Sequence, residues 1–273
     1  MGVTRFTLLV VVTILSASNA FGQPVSEQRV REAIDDAARG VGQAVAGGSP
    51  LTAPANTTGG LGHFQVVAAG TVTRMEIEDP RVDEGTVDFY LPVGSLQGAV
   101  GITDGGVLGF GAIDVIGRAG QVVAREEYRE SQLLVALGAR VGVLRETVAA
   151  PAVSVTVSRS WVEGLEWGDP DDEVHFNGDV AALSARVDVS KSFLLVTPYV
   201  GIGIDRTAID ADYRIPASLA TGGSEIQGSF DTSSTHQKAY TGVDLAVALV
   251  RASIEVGIYD GGAFGAIGLR VGL

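Results

Sequence analysis

Residues 194–205 read LLVTPYVGIGID, and the two sides of this stretch differ in kind. The even positions hold Leu194, Val196, Pro198, Val200, Ile202 and Ile204. The odd positions hold Leu195, Thr197, Tyr199, Gly201, Gly203 and Asp205. A period of two marks a strand, whose successive side chains leave on opposite faces. In a soluble sheet the second face would carry Lys, Glu and Thr. Here it is mostly small, and Gly and Ala have low strand preference in water. Small residues suit the inside of a narrow barrel, where room is short and isolated charges pair across the lumen. The aliphatics then face lipid, where every backbone polar group must be bonded within a closed sheet.

The same alternation recurs to the end of the chain. Leu133, Val135, Leu137, Ala139, Val141 and Val143 alternate with Gln132, Ala136, Gly138, Arg140 and Gly142. Val153, Val155 and Val157 alternate with Ser154, Thr156 and Ser158, and Val243, Leu245 and Val247 with Gly242, Asp244 and Ala246. The last two segments set Ala252, Ile254, Val256 and Ile258 against Ser253, Glu255, Gly257 and Tyr259, and Ile267, Leu269, Val271 and Leu273 against Ala266, Gly268, Arg270 and Gly272. Parity therefore assigns Asp114, Arg140, Arg186, Asp188, Asp244, Glu255 and Arg270 to the lumen, with Lys238 near a rim.

Turn spacing predicts ten strands, at about residues 62–76, 86–102, 107–117, 131–146, 151–162, 174–189, 194–206, 236–249, 252–259 and 262–272. Eight and twelve are the neighbouring alternatives, the second strand being broken near Pro92 and Gly94. Connections after even strands are short, while four of the five after odd strands are long. That asymmetry matches short periplasmic turns and long outer loops. Asp260-Gly261 is a type I′ hairpin signal that keeps the facing parity across the turn. The fold expected is an all-β, antiparallel up-and-down transmembrane barrel with a short N-terminal helix.

Composition narrows the rest. The chain has 273 residues, a formal net charge of −13 and 37 glycines, about twice the usual share of ~7%. The acidic balance speaks against nucleic acid as a partner. Without cysteine there is no disulfide scaffold, thiolate metal site or Cys nucleophile. Mean hydropathy is +0.28, yet the one long apolar run is Phe6–Leu15, half of what a helical span needs. That run, Arg5 before it and Ser18-Asn19-Ala20 after it make a secretory signal over residues 1–20. Val30, Ile34, Ala38, Val41 and Val45 recur at helical spacing, so Ser26–Ala46 is expected to be an amphipathic helix. With the Gly/Pro/Ser/Thr-rich stretch Gly47–Gly60 it makes up residues 21–60, expected as a periplasmic segment, the helix alternatively entering the barrel as a plug or contacting a partner. The barrel takes residues 61–273.

Segments such as TPYVGIGI (Thr197–Ile204) and GAFGAIGLRVGL (Gly262–Leu273) resemble strands of Gram-negative outer-membrane β-barrels. The resemblance covers residues 61–273 by general pattern and points to no single family. It implies outer-membrane lipid and the barrel-assembly machinery as partners and the cell outer membrane as location, and leaves the oligomeric state open. The C-terminal strand of such proteins ends in an aromatic, whereas this one ends in Leu273. Trp161, Tyr199, Tyr240 and Tyr259 are the candidates for the aromatic girdles.

For function, the pattern predicts a structural protein or a narrow passive channel for small solutes and ions, and no enzyme. One alternative is a hydrolase at the outer rim, of the outer-membrane protease (omptin) type. It would use His175 or His236 with Asp171, Asp172 or Asp231, although no omptin-like motif is present. Another is a soluble secreted barrel or sandwich for a small apolar ligand. No cofactor is expected. The acidic stretch Glu163–Glu173 offers Asp169, Asp171, Asp172 and Glu173 as oxygen ligands for Ca²⁺, but without EF-hand spacing.

Overall fold

The computed structural model describes residues 38–48, 54–78, 86–105, 111–122, 132–167, 175–217, 224–247 and 249–272. Residues 38–46 form a helix, α1. Ten strands follow: β1 (Phe64–Glu78), β2 (Thr86–Thr103), β3 (Ala112–Val122), β4 (Gln132–Leu144), β5 (Ala152–Trp167), β6 (His175–Ser190), β7 (Val196–Ile215), β8 (Ile226–Val247), β9 (Val250–Tyr259) and β10 (Gly262–Gly272). Each pairs antiparallel with the next, and β10 closes on β1 from Gln65↔Gly272 to Met75↔Gly262. The expected signal sequence and the start of the expected helix lie outside the described residues.

The sides fall as the alternation dictates. Leu137, Ile202, Ile258 and Ile267 point outward and are 59–66% exposed, while Asp114, Arg140 and Asp244 point inward and are 0% exposed. The outward residues of β7 run Val196, Pro198, Val200, Ile202 and Ile204. Allowing for tilt, these nine positions cover roughly 20–25 Å, the height of a membrane band.

Above that band the pattern inverts, which the sequence reading did not anticipate. Beyond Arg206 the outward residues of β7 are Ala208, Asp210 and Asp212, and the inward ones are Ile209, Ala211, Tyr213 and Ile215. The ordinary soluble arrangement, apolar inside and charged outside, thus begins at Arg206. Met75, Leu91, Val93, Val122, Leu134, Val162 and Val180 line the interior at the same end, joined into one apolar cluster. The barrel therefore has two storeys: an apolar upper interior towards the long connections and a polar, charged lower one.

Residues 207–235, expected as a loop, are mostly strand: β7 and β8 pair out to Ile215↔Ile226, well past the last β8–β9 pair, Lys238↔Tyr259. β3 is shifted from the expected 107–117 to Ala112–Val122, and β9 begins at Val250 rather than 252. Of the girdle candidates only Trp161 lies on the outward face. Tyr199, Tyr240 and Tyr259 are buried inside with Phe264, each standing on the inward parity of its strand. The inward glycines make room for them. Register sets Tyr199 opposite Gly242 and Tyr240 opposite Gly201, and a Cβ at either glycine would collide with the facing ring. Among the described residues, Phe64, Tyr90 and Phe193 are the exposed aromatics.

Candidate functional site

The interior is occupied by the chain's own N-terminal part. Of the placements open to the helix, residues 38–46 take that of a plug: α1 stands inside the upper storey, with Ala38, Val41, Gln43, Ala44 and Val45 buried. Its composition explains the fit. Gly40 and Gly42 carry no side chain where α1 meets the wall, and a Cβ would strike Met75 at the first and Thr207 at the second. Ala38, Val41, Ala44 and Val45 pack on the apolar cluster of the strands. A helix small on every side is poor as an amphipathic surface helix and suited to a narrow lumen.

The direction of α1 is fixed by its contacts. Gly40 lies against Met75 near the long-connection end, and Gly47 and Gly48 lie lower, against Arg118, Glu255 and Ala266. Gly47 adopts φ 74°, and its N–H donates to the Gln43 carbonyl at 2.8 Å, a left-handed C-terminal cap. Arg118 Nη1 donates to the carbonyls of Val45 (2.9 Å) and Ala46 (3.3 Å), placing a cation at the negative end of the helix dipole. The chain then continues down the lower storey. The Ala55 N–H donates to Ser190 Oγ at 2.9 Å, and the Thr58 hydroxyl to Asp114 Oδ1 at 2.6 Å.

At the short-turn rim, Glu146 gathers three segments. Its carboxylate accepts from Asn56 Nδ2 (3.0 Å), the Ser192 N–H (2.7 Å) and the Ser192 hydroxyl (2.9 Å). Partial burial works against its charge, but these hydrogen bonds outweigh that and hold the carboxyl below its ordinary value of 4.5. Lys191 donates to the carbonyls of Thr147, Val148 and Ala150, tying the β6–β7 turn to the β4–β5 turn.

The seven residues assigned to the lumen all lie inside, in separate groups. Arg140 bonds Asp114 through Nη2 at 2.6 Å and Nε at 2.9 Å, both side chains fully buried. Asp244 accepts from Arg270 at 2.6 Å and from Arg251 at 3.1 Å. Asp188 accepts from the Tyr240 hydroxyl at 2.5 Å, and Arg186 and Glu255 are buried in the same storey. Asp205, which the parity argument left off the list, accepts from Lys238 at 2.7 Å and lies 3.3 Å from His236 Nε2. It could have been found, because Asp205 stands on the inward parity of the stretch at 194–205. Beneath the C-terminus of α1, a cavity lined by Arg118, Arg186, Thr156 and Ser160 measures about 30 Å³, room for a water or two.

Among the described residues considered for rim chemistry, His236 and Asp231 are not brought together. His236 is buried inside beside Asp205, while Asp231 is on the outward face opposite Asp210. His175 stands at the start of β6, and His63 is exposed near the opposite end. Asp169, Asp171, Asp172 and Glu173 lie outside the described residues, and among the described residues no three His, Asp or Glu side chains converge as a metal site would need.

No family model and no curated protein matches the chain. Its fold is similar to solved Gram-negative outer-membrane β-barrels. The translocator domain of autotransporter NalP from Neisseria meningitidis is 12% identical, with 90% of this chain and 98% of that one covered and a TM-score of 0.43. The outer membrane protease OmpT from Escherichia coli is 9% identical, with 77% and 96% covered and a TM-score of 0.37. The Yersinia pestis attachment invasion locus protein Ail, solved with the heparin analogue sucrose octasulfate, is 9% identical, with 77% and 97% covered and a TM-score of 0.34. At these identities the likeness concerns architecture alone. The chain is a closed ten-stranded antiparallel barrel.

Proposed function

We propose that this protein is an integral outer-membrane anchor that keeps its own lumen shut with a helix whose N-terminal end faces the long-loop side. The aliphatic outward band on β4 to β10, ending where the pattern inverts at Arg206, supports the membrane placement. The observation that carries the rest is the direction of α1: Ala38 sits at the long-connection end and Arg118 holds the other terminus inside. Ala38, the first described residue, therefore stands at the outer end. With α1 in place the interior does not serve as a passive conduit. Conduction belongs to a state in which the helix has left.

Two measurements test this. In planar bilayers the full-length protein is expected to give a flat baseline, and a variant lacking residues 38–48 to give steady steps. An epitope tag inserted before Ala38 should be stained on intact cells. Steady conductance of the full-length protein, or a tag reached only after the outer membrane is permeabilised, would contradict the proposal.

A further inference from the structure

The outward face of β5, β6 and β7 carries a feature that anchoring does not require. On β7 the aliphatic run ends at Ile204 and is followed by Arg206, and on β5 Val157 is followed by Arg159. Register places Leu183 of β6 between them, Arg159↔Leu183 and Leu183↔Arg206. With strands ~4.8 Å apart, the two Cα atoms are about 10 Å apart. Two guanidiniums reaching over Leu183 can meet one anion from both sides.

Both arginines are exposed, and among the described residues neither has a carboxylate partner. Arg74 and Arg214, also on the outward face, are paired with Asp88 and Glu225 at 2.7 and 2.8 Å. Arg159 lies 5.4 Å from the ring centre of Trp161, which holds it against the wall at interfacial height. At the interface an exposed arginine costs little, and its N–H donors stay open to an anion.

A second observation indicates which anion. Immediately below, on the same face, runs a groove of about 580 Å³ lined mainly by Val155, Ala185, Ile202, Ile204, Ala239 and Ile258, with Gln237 and Asp260 at its far, β8–β9 end, away from the two arginines. The alanines leave troughs beside the ridge of β7 isoleucines. Guanidiniums above an apolar slot match a lipid with a phosphate head and an acyl chain lying along the barrel wall.

We infer that Arg159 and Arg206 bind the phosphate of a phosphorylated outer-leaflet lipid whose acyl chain occupies this groove. The inference rests on the membrane placement proposed above. The test reconstitutes the full-length protein into phosphatidylcholine vesicles doped with either bisphosphorylated or dephosphorylated lipid A. Lipid retained per barrel after neutral-detergent washing is counted by native mass spectrometry. Retention of the phosphorylated form should exceed the other by about tenfold or more, a charge-assisted hydrogen bond being worth at least that. Arg159→Gln with Arg206→Gln should erase the preference, and Arg74→Gln should keep it. Equal retention of both lipids by the unaltered protein, or an undiminished preference in the double variant, would overturn the site. A protein that inserts but shows no preference defeats this site alone, whereas one that stays in the aqueous phase defeats the membrane placement itself.

Discussion

Arg118, on the wall of the barrel, donates to the main-chain carbonyl of Val45 at 2.9 Å and so caps a helix that the wall encloses. One side chain thus couples the N-terminal segment to the sheet, at the level where apolar packing gives way to the charged lower storey. The carbonyl oxygens at a helix C-terminus need donors, and inside the wall Arg118 supplies one.

Arg118→Met keeps the bulk and removes the donor. The expected loss is about 1.5–3 kcal/mol of helix retention, the value of a hydrogen bond to a charged group. Brief conductance bursts should appear in planar bilayers on an otherwise flat baseline, and an unchanged trace would count against the capping role.

Gly42 faces Thr207 without room for a Cβ. Gly42→Leu should therefore drive α1 from the lumen while leaving the sheet intact. The expected result is new protease cleavage within residues 38–48 together with unaltered heat-modifiable migration of the barrel. Protection equal to that of the unaltered protein would show that the lumen is roomier than described.

The buried pair Asp114–Arg140 should respond asymmetrically. Arg140→Met leaves Asp114 inside with only Thr58 for company, at a cost of about 3–5 kcal/mol. Adding Asp114→Asn should recover a large part of it. Urea unfolding in lipid vesicles measures both, and a double variant as unstable as the single one would contradict the pairing.

Glu146 provides a pH signature. Its folded value lies below the ordinary 4.5, so its contribution to stability is complete above that value and is lost as pH falls through the lowered one. The urea midpoint should drop as pH falls below 4.5, and Glu146→Gln should flatten that part of the profile. The same slope in both proteins would remove Glu146 as the hub of the short-turn rim.

Much of this was legible in alternation. The period of two at 194–205 and 132–143 identified the strands, and the turn asymmetry counted them. The same parity placed Arg140, Arg186 and Glu255 inside, because a two-residue repeat leaves a side chain no third direction. What alternation did not convey was the change of solvent along a strand. Ile209, Ala211 and Tyr213 still alternate with Asp210 and Asp212, but with the apolar set turned inward, so a search for outward aliphatics ends at Arg206. Tyr199 and Tyr240 were misplaced because their aromatic character was weighed above their parity, and their opposing glycines are evident only from register. The position of α1 was hidden for a related reason: Gly40 and Gly42 weaken an isolated helix, and their use appears only when a wall stands against them.

The account rests on which face of each strand meets hydrocarbon, and the chain's lack of cysteine allows a clean test. Single nitroxide labels at Ile202→Cys, Ile254→Cys and Leu269→Cys, with Ser158→Cys for the inward face, can be compared by power-saturation spin resonance in outer-membrane vesicles. The prediction is that the first three collide with dissolved oxygen and not with a water-soluble nickel chelate, and that the label at 158 meets neither freely. Strong nickel contact at 202, 254 and 269 would mean that these aliphatics face water, and the membrane barrel would be wrong.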